Sequence, residues 1–220
     1  MPDPITAPAV ERYIESLLPP REPLLAEVEG HARQHRLPIV GAVEGQFLSL
    51  LTRLYRPRRI LELGCCTGYS ALWFADAAPE ATIETIELDP QRAEIAAANF
   101  ARSPHASRIT LRRGNALQIL PTLTPGTYDL IFNDLLRSGA GETDGVPNQL
   151  RFLELSLALL QEGGLLLSDN VLAGGQVAEA APDRTAAAIA EYNRRLFATP
   201  QLVSALVPIR DGVAISLKRS

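Results

Sequence analysis

Residues 59–78 read RILELGCCTGYSALWFADAA, and this stretch predicts a β-strand, a tight turn and an α-helix in direct succession. The apolar run RILELG (59–64) has the length of a buried strand, and SALWFADAA (70–78) carries apolar residues at helical spacing. Gly64 and Gly68 bracket the turn, where the absence of a side chain lets a ligand approach the backbone closely. We interpret the turn as a candidate binding loop, and a strand–helix turn without a ligand is the alternative.

The same alternation of strand and helix continues downstream. Strands are predicted at ATIETIEL (81–88), RITLRR (108–113), YDLIFN (128–133) and GGLLLSD (163–169), and helices at PQRAEIAAANFAR (90–102), QLRFLELSLALLQ (149–161) and RTAAAIAEYNRRLFA (184–198). Two final strand-like runs, QLVSALVPI and DGVAISLK, meet at Arg210-Asp211-Gly212, which is typical of a hairpin. Five strands alternating with helices predict an α/β fold, a doubly wound parallel sheet that binds ligands at the carboxyl ends of its strands.

The first 56 residues have a different pattern and are predicted to be helical. Apolar residues recur at spacings of three and four in VERYIESLL (10–18), EPLLAEVEGHARQHR (22–36) and VEGQFLSLLTRLY (43–55). We therefore predict one domain over residues 1–220, with an N-terminal helical extension (1–56) and an α/β core (57–220).

The composition excludes several classes of protein. A net charge of −4 argues against a nucleic-acid binder held by general phosphate attraction. No apolar stretch approaches the roughly 18 uncharged residues of a membrane helix, and MPDPITAPAVERY lacks the basic start and apolar centre of a signal peptide. Cys65 and Cys66 are adjacent and fit a reducing compartment, so we predict a cytoplasmic protein without a membrane or nucleic-acid partner.

The glycine-containing turn and the second strand predict a nucleotide site. The turn reads E-x-G-x-x-x-G, since position 66 is cysteine, and so it lacks the middle glycine of the dinucleotide fingerprint. Glu87 ends the second strand, where a carboxylate can accept both hydroxyls of an adenosine ribose. Asp89 is placed to cap the next helix. Ala116 in GNALQIL would leave room for a flat purine, with an ordinary loop as the alternative.

Acidic and amide side chains at two later strand ends predict a metal site. Asp134 follows strand four, and Asp169-Asn170 ends strand five. Neighbouring parallel strands lie about 4.8 Å apart, so residues at adjacent ends can share one ligand. Two carboxylates and an amide oxygen form a hard, oxygen-only donor set suited to Mg²⁺. The alternative is that these side chains cap loops and bind no metal.

Taken in order, these pieces resemble the class I S-adenosylmethionine-dependent methyltransferases, and in particular the cation-dependent catechol and caffeoyl-coenzyme A O-methyltransferases. The resemblance runs from about residue 40 to the last residues of the sequence. It rests on VEGQFLSLL, ILELGCCTGYSALWFA, IELDP, GNAL, YDLIFND, GGLLLSDNVLAGG, EYNRRL and LVPIRDGVAISLKR. The ordered series is far more specific than any one member.

The resemblance implies a Rossmann-like, seven-stranded, mostly parallel sheet with an antiparallel last strand, and a homodimer. It also implies methyl transfer to a hydroxyl of a small catechol-like or phenolic acceptor, with Mg²⁺ or another divalent cation such as Mn²⁺ or Ca²⁺. The residues that it assigns to S-adenosylmethionine are Val40, Glu62, Gly64, Cys65, Ser70, Glu87, Ala116 and Asp134. Those that it assigns to the cation are Asp134, Asp169 and Asn170.

Three departures from the family pattern follow strand four. The family usually reads D-A-D-K, whereas this chain reads Asp134-Leu135-Leu136-Arg137, so Leu136 removes a second carboxylate. Arg137 stands where a lysine often serves as the base, and arginine is effectively never deprotonated. We therefore assign Arg137 a positioning role beside the catalytic Asp134. Finally, the longer loop RSGAGETDGVPN (137–148) is a candidate lid or substrate wall.

Three other functions stay open on the sequence. A metal-independent methyltransferase of the same fold would use the aspartates structurally. A nicotinamide dehydrogenase is disfavoured by the incomplete glycine fingerprint. A non-catalytic relative that binds S-adenosylmethionine gains some weight from Leu136 and Arg137.

Overall fold

The computed structural model describes residues 7–139 and 141–220. The first residues of MPDPITAPAVERY and one residue of the 137–148 loop, Ala140, lie outside this part of the chain. The described residues group into two compact units, Ala7–Ala116 and Leu117–Ser220. We describe each unit by itself, and the single domain inferred from the sequence stays a prediction.

The first unit contains the N-terminal helices and three parallel strands. Its elements are α1 (Pro8–Ser16), α2 (Pro23–His35), α3 (Gly41–Tyr55), β1 (Arg59–Leu63), α4 (Tyr69–Ala77), β2 (Thr82–Glu87), α5 (Pro90–Arg102) and β3 (Ile109–Arg113), and a short helix α6 (Ala116–Ile119) begins at its last residue. β2 lies between β1 and β3 and pairs in parallel with both. Four of the five residues of β1 are buried, as the apolar run predicts.

The start of α5 shows how local chemistry sets a helix boundary. The Asp89 carboxylate accepts hydrogen bonds from the backbone N–H groups of Gln91 and Arg92, and Pro90 occupies the first helical position. An acidic cap satisfies N–H groups that have no partner inside the helix, and proline at this position has no N–H to satisfy. The predicted capping role of Asp89 is confirmed.

The second unit contains four long strands, two long helices and a small hairpin. Its elements are β4 (Tyr128–Asn133), β5 (Glu142–Thr143), β6 (Val146–Pro147), α7 (Asn148–Leu159), β7 (Leu160–Asp169), α8 (Arg184–Ala198), β8 (Leu202–Val207) and β9 (Val213–Lys218). β4 and β7 are parallel, whereas β9 runs antiparallel to both β7 and β8. β7 begins three residues earlier than predicted, because Leu160 pairs with Tyr128 across an irregularity in the register.

The 137–148 loop contains structure that the sequence analysis missed. β5 and β6 form a two-stranded antiparallel sheet, joined by Asp144 and Gly145 with φ angles of 53° and 74°. Two successive left-handed residues are the requirement of a tight hairpin turn, and Asp-Gly is a favoured pair for it. That dipeptide was the available signal, although the flanking strands are too short to show alternation.

The main sheet has seven strands in the order β3-β2-β1-β4-β7-β9-β8. β9, the last strand of the chain, is antiparallel to both of its neighbours, β7 and β8. The predicted Rossmann-like fold class, a mostly parallel sheet with an antiparallel last strand, is confirmed. Within the described residues, no helix combines the length and the apolar character needed to cross a bilayer.

Candidate functional site

The turn after β1 contains several residues with positive φ angles, a conformation that glycine adopts most readily. Gly64, Cys66 and Gly68 have φ angles of 94°, 49° and 84°. A Cβ atom on Gly68 would lie 2.5 Å from the Phe100 ring, so neither the backbone angle nor the space tolerates a side chain. The N–H groups of Gly64 and Cys65 both donate to the carbonyl of Ile86, at 3.1 and 3.0 Å. The predicted turn is therefore present and anchored to β2.

Glu87 is a buried carboxylate that holds this turn in place. Its Oε2 accepts a hydrogen bond of 2.7 Å from the Cys66 N–H, and its Oε1 accepts one of 2.9 Å from the Asp89 N–H. Each carboxylate oxygen has more than one lone pair, so both oxygens can accept a further hydrogen bond from a ligand hydroxyl. The two backbone donors orient the carboxylate before any ligand arrives.

Glu62 is fully buried in β1 and is incompletely hydrogen-bonded. The Thr85 hydroxyl donates to Oε2, whereas Oε1 has no hydrogen-bond partner among the described residues. Burial raises the pKa of Glu62 to about 7, although the nearby Ser70 and Thr85 hydroxyls lower it. A buried acceptor without a donor is costly, so this oxygen fits a cationic N–H donor brought by a ligand.

Four other residues predicted for the cofactor, Val40, Cys65, Ser70 and Ala116, are also buried. Val40 lies immediately before α3, Ser70 is in the first turn of α4, and Ala116 begins α6. Burial raises the pKa of the Cys65 thiol well above its ordinary value, which keeps the sulfur protonated and argues against a nucleophile. The cofactor contacts of these four residues stay predictions.

The register of β4 and β7 places two candidate metal ligands at adjacent strand ends. Asn133 and Ser168 are partners in the parallel pairing of β4 with β7. Asp134 directly follows Asn133, and Asp169 directly follows Ser168. Strands of a sheet lie about 4.8 Å apart, so the structure brings Asp134 and Asp169 to neighbouring positions at the carboxyl ends of these strands.

The chemistry of this donor set fits a hard divalent cation. Asp169 is buried, and its Oδ1 accepts a hydrogen bond of 2.6 Å from the Asn170 N–H. In residues 7–139 and 141–220, no three histidine, cysteine, aspartate or glutamate side chains are grouped as a metal site. A cation here would therefore combine two carboxylates with the amide oxygen of Asn170 and with water or substrate, a set that Mg²⁺ accepts.

Helix α8 supports this end of the sheet through two side chains that the sequence analysis missed. The Tyr192 hydroxyl lies 2.7 Å from the Ser168 hydroxyl, next to Asp169. Burial raises the pKa of Tyr192 to about 12, and hydrogen bonds to Ser168 and Asn133 lower it. The Asn193 amide donates to the Val171 carbonyl at 2.7 Å, next to Asn170. A polar Tyr-Asn pair in the middle of an otherwise apolar-faced helix was the available signal.

Arg137 contacts a residue that the sequence analysis treated only as part of a hairpin turn. Its Nη1 lies 3.2 Å from Oδ2 of Asp211, whose side chain is 3% exposed. Leu136, in the position of the second carboxylate of the family pattern, is fully buried. Relative to the family pattern D-A-D-K, a buried leucine therefore replaces the second aspartate. The basic residue, here Arg137, forms an ion pair with Asp211.

Comparison with known proteins identifies the family. A family model described as O-methyltransferase matches residues 19–219. The chain belongs to the O-methyltransferase family. This O-methyltransferase is 30% identical over 220 residues to a catechol O-methyltransferase of Mycobacterium tuberculosis, with 96% of each chain covered. It is also 30% identical to caffeoyl-CoA O-methyltransferase 5 of Nicotiana tabacum, covering 94% of this chain and 90% of that protein.

Solved structures of O-methyltransferases share the fold. TomG of Streptomyces achromogenes, an O-methyltransferase solved with SAM, is 30% identical, with a TM-score of 0.83 and 96% of each chain covered. The Bacillus cereus O-methyltransferase, solved with SAH, is 26% identical, with a TM-score of 0.81 and 96% of this chain and 97% of that chain covered. The predicted family and the predicted class of enzyme are confirmed, and the individual site residues stay predictions.

We expect the ligand-free O-methyltransferase to lose stability as the pH rises, because of the buried carboxyl group of Glu62. Its folded-state pKa of about 7 lies above the ordinary 4.5, so the folded state holds the proton more tightly. This contribution is full below pH 4.5 and is lost as the pH rises through about 7, and it amounts to about 3 kcal/mol. Glu62→Gln should remove most of this pH dependence from the free energy of unfolding, measured with urea between pH 4.5 and 8.

A matched control separates Glu62 from the other acids. Glu162→Gln changes an exposed glutamate and should leave the slope of stability against pH as in the wild type. If Glu62→Gln and the wild type lost the same free energy of unfolding between pH 4.5 and 8, the assignment of a raised pKa to Glu62 would be wrong.

Proposed function

We propose that this protein transfers a methyl group from S-adenosylmethionine to a hydroxyl of a small catechol-like or phenolic acceptor, and that it requires a divalent cation. The observation that carries this proposal is the pairing of β4 with β7, which sets Asp134 and Asp169 at adjacent strand ends in a member of the O-methyltransferase family. Mg²⁺ is the expected cation, and Mn²⁺ and Ca²⁺ are the candidates for replacing it.

The cofactor assignment follows from the buried acceptors of the first unit. Glu87 is oriented by two backbone donors and is assigned the ribose hydroxyls. Glu62 offers a buried oxygen without a donor and is assigned the ammonium group of the methionine portion. The turn at Gly64 and Cys65, together with Ser70, Val40 and Ala116, is assigned to the rest of the cofactor. TomG and the Bacillus cereus enzyme, solved with SAM and SAH, support a cofactor of this class.

The acceptor assignment follows from the oxygen ligands of the second unit. Asp134, Asp169 and Asn170 are assigned to hold the cation, which when bound supplies a positive charge that lowers the pKa of an acceptor hydroxyl. The acceptor oxygen then attacks the methyl carbon in line with the sulfur, so that the O–CH₃ bond forms as the S–CH₃ bond breaks. S-adenosylhomocysteine is the leaving group, and the hydroxyl proton is released to solvent. Arg137 is excluded as the general base, since a guanidinium is not deprotonated in proteins. The relatives named for catechol and caffeoyl-CoA support a phenolic acceptor.

Removal of the cation tests this proposal. Methyl transfer from labelled S-adenosylmethionine to a panel of catechols, flavonoids and hydroxycinnamates should fall to background in excess chelator and return when Mg²⁺ is restored. Full activity in chelator would favour a metal-independent methyltransferase of the same fold. Binding of S-adenosylmethionine without turnover across the panel would favour a non-catalytic relative.

The homodimer and the cytoplasmic location also stay predictions. Light scattering on the purified protein distinguishes a dimer from a monomer of 23.8 kDa.

A further inference from the structure

The turn between β8 and β9 contains a buried charge that the proposed chemistry does not use. The Asp211 side chain is 3% exposed, although hairpin turns normally leave their acidic residues in water. Burying a carboxylate is costly unless hydrogen bonds and an opposite charge compensate. The partners of Asp211 therefore indicate what this residue contributes.

Asp211 connects three segments that are far apart in the sequence. Its Oδ1 accepts a hydrogen bond of 2.5 Å from the Gly174 N–H, and its Oδ2 lies 3.2 Å from Nη1 of Arg137. Its backbone carbonyl accepts a third hydrogen bond, of 2.9 Å, from the Leu172 N–H. The partners lie 37 and 74 residues away for the two side-chain bonds. Asp211 thus links the segment after β4 and the segment after β7 to the turn before β9.

The segment after β7 has a backbone that needs such a restraint. Asn170, Ala173, Gly174 and Gly175 have φ angles of 62°, 49°, 66° and 85°. Asparagine tolerates the left-handed region, but it is unfavourable for alanine, which has no side-chain hydrogen bond to offset the cost. Such conformations persist only where the surrounding structure holds them. The three donors to Asp211 are Leu172 and Gly174, which lie on either side of Ala173, and Arg137.

Close packing of the turn before β9 also restrains the segment after β7. Gly212 has a φ angle of 83°, and a Cβ atom there would lie 2.6 Å from Leu172. The Gly212 carbonyl also accepts a hydrogen bond of 3.2 Å from the Val171 N–H, directly after Asn170. The turn before β9 therefore lies against the residues that follow Asp169 and Asn170.

We propose that Asp211, with Arg137 as its counter-charge, is a positioning residue of the candidate cation site. The pair holds the segment 170–174, which contains the left-handed residues Asn170, Ala173 and Gly174, so that the Asn170 amide and the Asp169 carboxylate present their oxygens at the end of β7. Arg137 then acts as the partner of a buried acid, which accounts for an arginine at a position where no base is needed. This inference rests on the proposed cation dependence.

Binding of Mn²⁺ to the purified, acceptor-free protein tests the proposal. Free Mn²⁺ is measured by electron paramagnetic resonance for the wild type, Asp211→Asn, Arg137→Met and Arg137→Lys. Residues that orient metal ligands typically change metal affinity by about 10- to 100-fold. We expect a dissociation constant about tenfold higher in Asp211→Asn and in Arg137→Met, and partial recovery in Arg137→Lys, which keeps the positive charge.

Arg151→Met is the matched control. Its side chain is 35% exposed and pairs with Glu154 at 3.0 Å on α7, compared with 39% and 3.2 Å for Arg137 and Asp211. Arg151→Met should bind Mn²⁺ as the wild type does. Circular dichroism and thermal unfolding show whether each variant remains folded. The deficit of turnover in Arg137→Met should also shrink as the Mn²⁺ concentration is raised.

The outcomes separate this inference from the proposed function. If the wild type binds Mn²⁺ and both Asp211→Asn and Arg137→Met bind it equally well, Asp211 is not a positioning residue, although the proposed function stands. If the wild type binds no Mn²⁺, the cation dependence fails and the inference fails with it. If Asp211→Asn does not fold, Arg137→Met decides, since it removes an exposed side chain and leaves the hydrogen bond from Gly174 to Asp211.

Discussion

Replacing Asp169 with alanine is expected to reduce methyl transfer by about 100-fold or more at a Mg²⁺ concentration that saturates the wild type. Loss of residues that merely orient a ligand already costs about 10- to 100-fold, and Asp169 is assigned as a ligand itself. Its carboxylate is buried at the end of β7, so no neighbouring side chain replaces the lost charge by a simple rotation. Initial rates with labelled S-adenosylmethionine and a catechol, measured over a range of Mg²⁺ concentrations, provide the measurement.

Asp183→Ala is a suitable control for this prediction. Asp183 also belongs to the second unit, but its carboxylate caps α8 by accepting the Ala186 N–H at 2.7 Å. Removing the cap should cost about 1 kcal/mol of stability and leave the dependence of the rate on Mg²⁺ unchanged. Wild-type rates in Asp169→Ala at every Mg²⁺ concentration would eliminate Asp169 as a metal ligand.

Glu87→Ala is expected to weaken the binding of S-adenosylmethionine by about 100-fold. Two hydrogen bonds from ribose hydroxyls to a charged acceptor contribute roughly 1.5 kcal/mol each at the lower end of the usual range, and 1.4 kcal/mol corresponds to about tenfold in affinity. The substitution also leaves the Cys66 and Asp89 N–H groups without their acceptor, so the turn that contacts the ligand loses its support. Calorimetric titration of the purified variant gives the affinity.

Two further variants sharpen the test of Glu87. Glu84→Ala removes a glutamate from the same strand, one that pairs with Arg59 and Arg112, and should leave the affinity for S-adenosylmethionine close to that of the wild type. Glu87→Gln keeps one acceptor oxygen but turns an NH₂ group toward one of the two backbone donors, so it should bind more weakly than the wild type. An unchanged affinity in Glu87→Ala would remove the ribose assignment.

The main elements of the fold were predictable because their apolar periodicity is local. The predicted strand 128–133 and the predicted helix 184–198 have the bounds of β4 and α8. The first three residues of β7, Leu160, Gln161 and Glu162, were not predicted as part of a strand, since they have no strand-like pattern of their own. They are extended because β7 pairs with β4, which is a property of the neighbouring strand.

The candidate site also combines residues that the sequence predicted with contacts that it did not. Carboxylates at strand ends were visible in the sequence, because Glu87, Asp134 and Asp169 each follow an apolar run. The side-chain contacts around the candidate site could not be predicted from local patterns. The Thr85 hydroxyl that contacts Glu62 and the Tyr192 hydroxyl that contacts Ser168 lie 23 and 24 residues away from these partners.

The sequence by itself determined the alternation of strands and helices, the glycines of the first turn, and the kinds of side chain at the strand ends. Periodicity, turn chemistry and residue type act over a few positions, so they can be read without a fold. Only the tertiary structure decided that Arg137 pairs with Asp211, that Asp211 accepts the Gly174 N–H, and that Oε1 of Glu62 has no donor among the described residues. These contacts depend on strand register and on left-handed loop residues, which bring together groups that no local pattern relates.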